Sequence, residues 1–110
     1  MAAKFIQEGD CIDYTPSADV NAGDVVVQQD LVGVAKRPIK ANTLGALAVT
    51  GIFEFPKDTG AGKDIPAGRK VYWDPTPGIV KKGAAGATYL GKAVADAGED
   101  DATVRVRLEQ

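Results

Sequence analysis

The sequence predicts an all-β fold, a small antiparallel β-barrel or sandwich, on three observations. No window longer than a few residues keeps its apolar side chains at helical spacing. Short runs rich in Val, Ile, Phe and Tyr recur instead, at spacings of ~8 to 12 residues, with Gly, Asn, Asp and Pro between them. Two of these runs alternate strictly: Ile52-Phe53-Glu54-Phe55 sets both phenylalanines on one face, and Val104-Arg105-Val106-Arg107-Leu108 sets valines and leucine opposite arginines. Each has one buried and one wet face, as antiparallel sheets do.

The elements follow in chain order. Residues 1–16, "MAAKFIQEGDCIDYTP", are either an extended N-terminal arm or the first strand of the domain's own sheet, with a strand over Cys11 to Tyr14. Phe5 and Ile6 are two exposed-looking apolar residues before the Glu8-Gly9-Asp10 turn, and an extended strand end of this kind adds readily to another sheet's edge. Residues 17–110 read as a single β-rich domain. Its strands are expected at Asp24 to Gln28, Leu31 to Ala35, Ala46 to Thr50, Ile52 to Phe55, Lys70 to Trp73, Gly78 to Val80, Tyr89 to Val94 and Thr103 to Leu108, each bounded by turn residues.

A weak internal repeat runs through this domain. "DVNAGDVV" at Asp19 to Val26 resembles "DIPAGRKV" at Asp64 to Val71, and each is followed by a second element, "LVGVA" at Leu31 and "YLGKAV" at Tyr89. The shared Ala-Gly pair predicts a tight turn in which glycine takes a positive φ before the chain enters a strand. The second copy carries extra residues, "TPGIVKKGAAGAT" from Thr76 to Thr88, expected as a long hairpin insertion with Lys81-Lys82 at a solubilising tip.

Composition narrows the function classes. The chain has 110 residues, 45% hydrophobic but only 6% aromatic, which suits a thin β-core supplemented by oligomerisation. Thirteen Lys and Arg against fifteen Asp and Glu give a formal charge of −2, so no basic footprint for duplex nucleic acid exists. Histidine is absent, which removes the usual neutral-pH proton carrier and the commonest metal ligand. The single cysteine, Cys11, allows neither an intramolecular disulfide nor a cysteine-based zinc site and reads as a half-buried strand residue. No apolar run suggests a signal sequence or a membrane span, so a soluble product of the host cytoplasm is expected.

Three stretches invite sharper readings. "TGAGKD" at Thr59 to Asp64 looks like half of a phosphate-binding loop. However, Lys57 occupies the first-glycine position, Asp64 stands where magnesium needs Ser or Thr, and Pro66 lacks an N–H for the cradle. It reads as a solvated junction with Lys63 as a free surface charge. The acids Asp96, Glu99, Asp100 and Asp101 suggest calcium, but their spacing fits no EF-hand loop, so a solvated turn is favoured. Tyr72 and Trp73 point to opposite faces of one strand, so one is core and the other is available to a partner protein. No Ser-His-Asp, Cys-His or metal-ligand spacing is present, and no enzyme, cofactor or metal is expected.

The ordered set "AKFIQEGDCIDYTPSADVNAGDVVV", "LVGVA", "GALAVTGIFEFPK", "IPAGRKVYWD" and "TYLGKAVADAGEDDATVRVRL" resembles the DUF2190 family of small phage and prophage proteins along nearly the whole chain. That resemblance implies a capsid decoration, or cement, protein of β-tulip or β-clip-like form, binding the outer surface of the assembled head. It further implies major capsid protein and neighbouring copies as partners, commonly in a homotrimer, and no role for nucleic acid or membrane. Lys4, Phe5, Ile6, Gln7 and Trp73 are the candidate capsid or protomer contacts. Some family members carry a recombinase label, which this sequence opposes because it has neither a phosphate loop nor helices to flank a parallel sheet. The rival reading is a small-ligand or partner-binding module, since "DIPAGRKV" also resembles the turn element of SAF-type domains.

Overall fold

The computed structural model describes residues 2–110. Among these residues are nine strands and no helix: β1 (Cys11–Tyr14), β2 (Val25–Gln28), β3 (Leu31–Val34), β4 (Gly45–Ala48), β5 (Ile52–Pro56), β6 (Lys70–Asp74), β7 (Ile79–Lys81), β8 (Thr88–Ala93) and β9 (Thr103–Leu108). All nine lie where the sequence places them, with ends that shift by a residue or two for identifiable reasons. Asp24, for example, falls outside β2 because its N–H closes a turn onto the Asn21 carbonyl at 3.1 Å instead of joining the ladder.

The strands form two antiparallel sheets, one ordered β1-β4-β3-β2 and the other β5-β9-β8-β6-β7. Neither closes on itself. The outer strands of the larger sheet meet at one parallel bridge, Lys57 to Val80, so the architecture is sandwich-like and the closed-barrel alternative falls away.

The first four entries of the larger sheet's order repeat the connectivity of the smaller one. β1-β4-β3-β2 corresponds to β5-β9-β8-β6, a Greek-key arrangement used twice, with β7 as the addition. The two Ala-Gly turns are built alike. Gly23 and Gly68 take φ of 89° and 88°, and their N–H groups donate to the Ala35 and Ala93 carbonyls at 2.6 and 2.7 Å. Val20 bridges Ile39 in the first copy, and Ile65 bridges Ala97 in the second. The insertion between β6 and β8 is a hairpin whose β7 pairs with β6 from Tyr72–Lys81 to Asp74–Ile79.

Alternation decides the core. Phe53 and Phe55 of β5 share a face with Val104, Val106 and Leu108 of β9 and with Val71 and Trp73 of β6. An irregularity in the β6–β8 register leaves Leu90 as an extra residue on β8, and its side chain is fully buried. Val32 and Val34 of β3, with Val25 and Val27 of β2, close this core from the smaller sheet. The opposite face of the smaller sheet holds a second, lesser cluster of Ala35, Ile39 and Leu47, with Ile12, Tyr14, Val20 and Val26 against it. Burying one Val or Leu side chain contributes about 1.5–3 kcal/mol, so the larger cluster dominates stability.

Gln110 ties the sheets together. Its side-chain amide donates to the Val32 carbonyl at 2.8 Å while its Oε1 accepts the Val32 N–H, taking the place of a ladder partner beside β3.

Candidate functional site

Residues 2–10 are exposed throughout, and Ala2 to Glu8 belong to no strand, turn or bend. Lys4, Phe5, Ile6 and Gln7 lie together on this arm. Phe5 and Ile6 are 76% and 77% exposed, the two most exposed large apolar side chains of the described chain. Two adjacent solvated apolar residues are unfavourable alone, and their presence on an extended segment suits a partner's surface.

Trp73, the fifth candidate, lies elsewhere. It is 8% exposed, with its ring 6.1 Å from Phe55 in the larger core. Between the Tyr72 and Trp73 faces, Trp73 is thus the core member. Tyr72 is half-buried on the outer face, packed edge-on to Tyr89 at 5.6 Å. What Trp73 offers outward is a share in a groove between β2 and β5, lined also by Val25, Val34, Phe53 and Phe55. The structure does not bring the arm candidates and Trp73 together, and sequence reasoning did not find this groove, because it joins strands from different sheets.

The outer face of the larger sheet is cationic. Ile52 pairs with Arg107, Arg107 with Lys92 and Lys92 with Lys70, a row across four strands. Glu109 and Glu54 reach Lys92 and Arg105 at 3.6 and 3.8 Å, long contacts between exposed groups that contribute little. One pair is tighter: Lys81 Nζ lies 2.9 Å from Asp74 Oδ2 and also donates to the Ala85 carbonyl. The Lys81 hydrogen bond holds the Asp74 carboxyl below the usual carboxylate range against an upward push from burial, and the Thr76 N–H reinforces the lowering. Lys81 therefore belongs to β7 and pins the hairpin, a correction to its expected place at a loop tip, and Lys82 lies 3.5 Å from Asp64.

The acidic stretch is more structured than a solvated turn. Asp96 accepts the Ala67 N–H at 2.8 Å, Glu99 the Gly62 N–H at 2.7 Å, and Asp101 the Gly98 N–H at 2.7 Å. Asp96 and Glu99 thus satisfy backbone donors of the β5–β6 loop that contains "TGAGKD", so that loop is held by its neighbour, while Asp101 closes a turn within the acidic stretch itself. Gly60 and Gly62 take φ of 121° and 77°, and Lys63 is exposed. No group of His, Cys, Asp or Glu among the described residues has the geometry to hold a metal ion. The one buried charged side chain among the described residues, Lys57, donates to the backbone carbonyls of Asp58 and Asp101 at 2.7 and 2.8 Å. No sequence signal distinguished Lys57 from the exposed lysines.

No helix among the described residues is long and apolar enough to cross a membrane. Neither the curated proteins nor the solved structures give a match to the chain. A family model described as phage cement protein does match, over residues 6–108, from the arm's Ile6 to the last residue of β9. That match takes in both sheets, both Ala-Gly turns and the inserted hairpin, and the chain belongs to the phage cement protein family.

Proposed function

We propose that this protein binds the outer surface of an assembled phage head and stabilises the shell by bridging subunits of the major capsid protein. The observation that carries the reading is the family match over both sheets, on a chain whose two most exposed large apolar side chains stand side by side on one arm. A shell offers many identical sites, so a small β-module with a modest interface gains from binding several subunits at once. Binding only the expanded lattice stabilises that lattice by linkage. The arm, through Lys4, Phe5, Ile6 and Gln7, supplies contact to the capsid or to a neighbouring copy, and a homotrimer on the virion surface is the expected assembly. The role is structural and not enzymatic, and needs neither cofactor nor nucleic acid.

The small-ligand alternative draws on the groove beside the first Ala-Gly turn. Its polar lining is limited to Asp24 and Glu54 side chains that are both exposed, whereas a ligand pocket fixes its occupant with a few enclosed polar groups. The groove therefore favours an apolar protein segment. Co-sedimentation with expanded and unexpanded heads tests the cement reading: preferential binding to expanded heads is expected, and no binding to either form would refute it. Removal of residues 2–10 should lower occupancy on expanded heads at least tenfold; unchanged occupancy would sink the arm's part in binding.

A further inference from the structure

We infer that the outer edge of β2 is a vacant strand position, filled in the assembled protein by residues 2–8 of a second copy. The internal repeat shows the vacancy. In the second half of the chain, β6 has β8 on one side and β7 on the other. Its counterpart in the first half, β2, has β3 on one side and, among the described residues, no strand on the other. The inserted hairpin thus completes in one half what the other half leaves open.

The edge is chemically prepared for a partner. Ala35 N–H donates to the Asp24 carbonyl at 3.0 Å, so by alternation Asp24, Val26 and Gln28 turn their backbone groups toward β3. Val25 and Val27 then present their N–H and C=O groups outward. Edge strands are ordinarily protected by lysine, proline or a bulge, and β2, "VVVQ", has none of these. By contrast β5, also an edge, carries Pro56 and Glu54 and meets β7 at the Lys57–Val80 bridge.

The arm matches this position in length, apolarity and charge. Residues 2–8 are exposed and unpaired, enough for one strand. Laid antiparallel as β7 lies on β6, with Phe5 opposite Val27, the arm turns Phe5 to the groove of Val25, Phe53, Phe55 and Trp73. The same register brings Lys4 to Gln28, next to Asp30. From Gly9 to Ala35 the chain carries Asp10, Asp13, Asp19, Asp24 and Asp30 and no Lys or Arg, so a cation is welcome there. This exchange deepens the cement reading by naming one contact of the arm, yet it concerns the free protein and needs no capsid.

The test is self-association of the purified full chain, measured by sedimentation equilibrium without heads. The full chain should form a concentration-dependent oligomer, and Phe5→Asp with Ile6→Asp should weaken it at least tenfold while leaving the monomer's melting unchanged. Val27→Pro, which removes one outward N–H, should do the same; if that variant fails to fold, the arm variant decides alone. In a Cys11→Ser background, chains with Lys4→Cys mixed with chains with Gln28→Cys should form a mixed disulfide on oxidation. A chain carrying both cysteines should link to other chains. A monomeric full chain, undiminished association of the arm variant, or a disulfide closed within one chain would each overturn the inference. Because no heads are present, its failure leaves the cement reading intact, and failure to bind heads leaves the strand exchange intact.

Discussion

Gly91 shows how a single residue constrains the larger sheet. It pairs with Val71 on one side and Leu108 on the other, and a Cβ added there would land on the Arg107 carbonyl oxygen. Backbone cannot yield as a side chain end does, so Gly91→Ala should destabilise the protein by about 3 kcal/mol or prevent folding, read by urea unfolding. The matching glycine of the first repeat, Gly33, faces the Leu47 side chain, whose Cβ would lie 2.8 Å away. Gly33→Ala should cost less, because a 2.8 Å approach to Leu47 Cβ needs a smaller displacement than a collision with a carbonyl oxygen, but not nothing, since that Cβ moves only with its own backbone. Asp74 gives a pH prediction. Its carboxyl is held below the usual value of ~3.9 by Lys81, so its stabilisation is complete above that value and is lost as pH falls through the folded-state value. Asp74→Asn should lower the melting temperature at pH 7 and flatten its fall below about pH 4; an unchanged acid limb in thermal melts would contradict this.

At the scale of elements, the Ala-Gly turns and their strands were legible because glycine's positive φ and period-two alternation are local properties. The strand content was legible for the same reason, down to the inserted hairpin. The capping of one loop by another was not, since Asp96 and Ala67 are far apart in sequence and only the sheet order brings them within hydrogen-bonding range. Lys57 is the same case. Just after β5 it is 5% exposed and donates to two carbonyls, one of them on the turn before β9. Lys57→Met keeps the apolar stem but leaves both carbonyls without their donor, and a loss of about 2 kcal/mol in chemical denaturation is expected. A loss near zero would show that water replaces the ammonium without cost.

The whole molecule is a pair of related four-stranded units in which one has gained a fifth strand and the other has kept an open edge. The face of the smaller sheet bearing Val25, Val27, Val32 and Val34 covers the core of the larger one, so neither unit is complete alone. If arms pass between copies, folding and association are linked by mass action. The melting temperature of the full chain should therefore rise with protein concentration, while a chain lacking residues 2–10 should melt at a concentration-independent temperature. Scanning calorimetry over a hundredfold concentration range measures both; equal behaviour of the two chains would argue that the arm contributes nothing to assembly in solution.

The sequence by itself determined the strand content, the two turns, the outward arginines of β9 and the family, because each depends on residues close together or on their order along the chain. It left Tyr72 and Trp73 undecided between core and surface, since alternation says only that they differ. Tertiary structure decided that point when Val71 and Trp73 met Phe55 and Val104 across the larger sheet. It also decided that the sheets stay open, that β2 lacks an outer neighbour and that Phe5 and Ile6 find no cover on their own chain. These are facts of strand pairing between distant segments. Pairing partners are chosen by the burial of a whole face, which no short stretch of sequence contains.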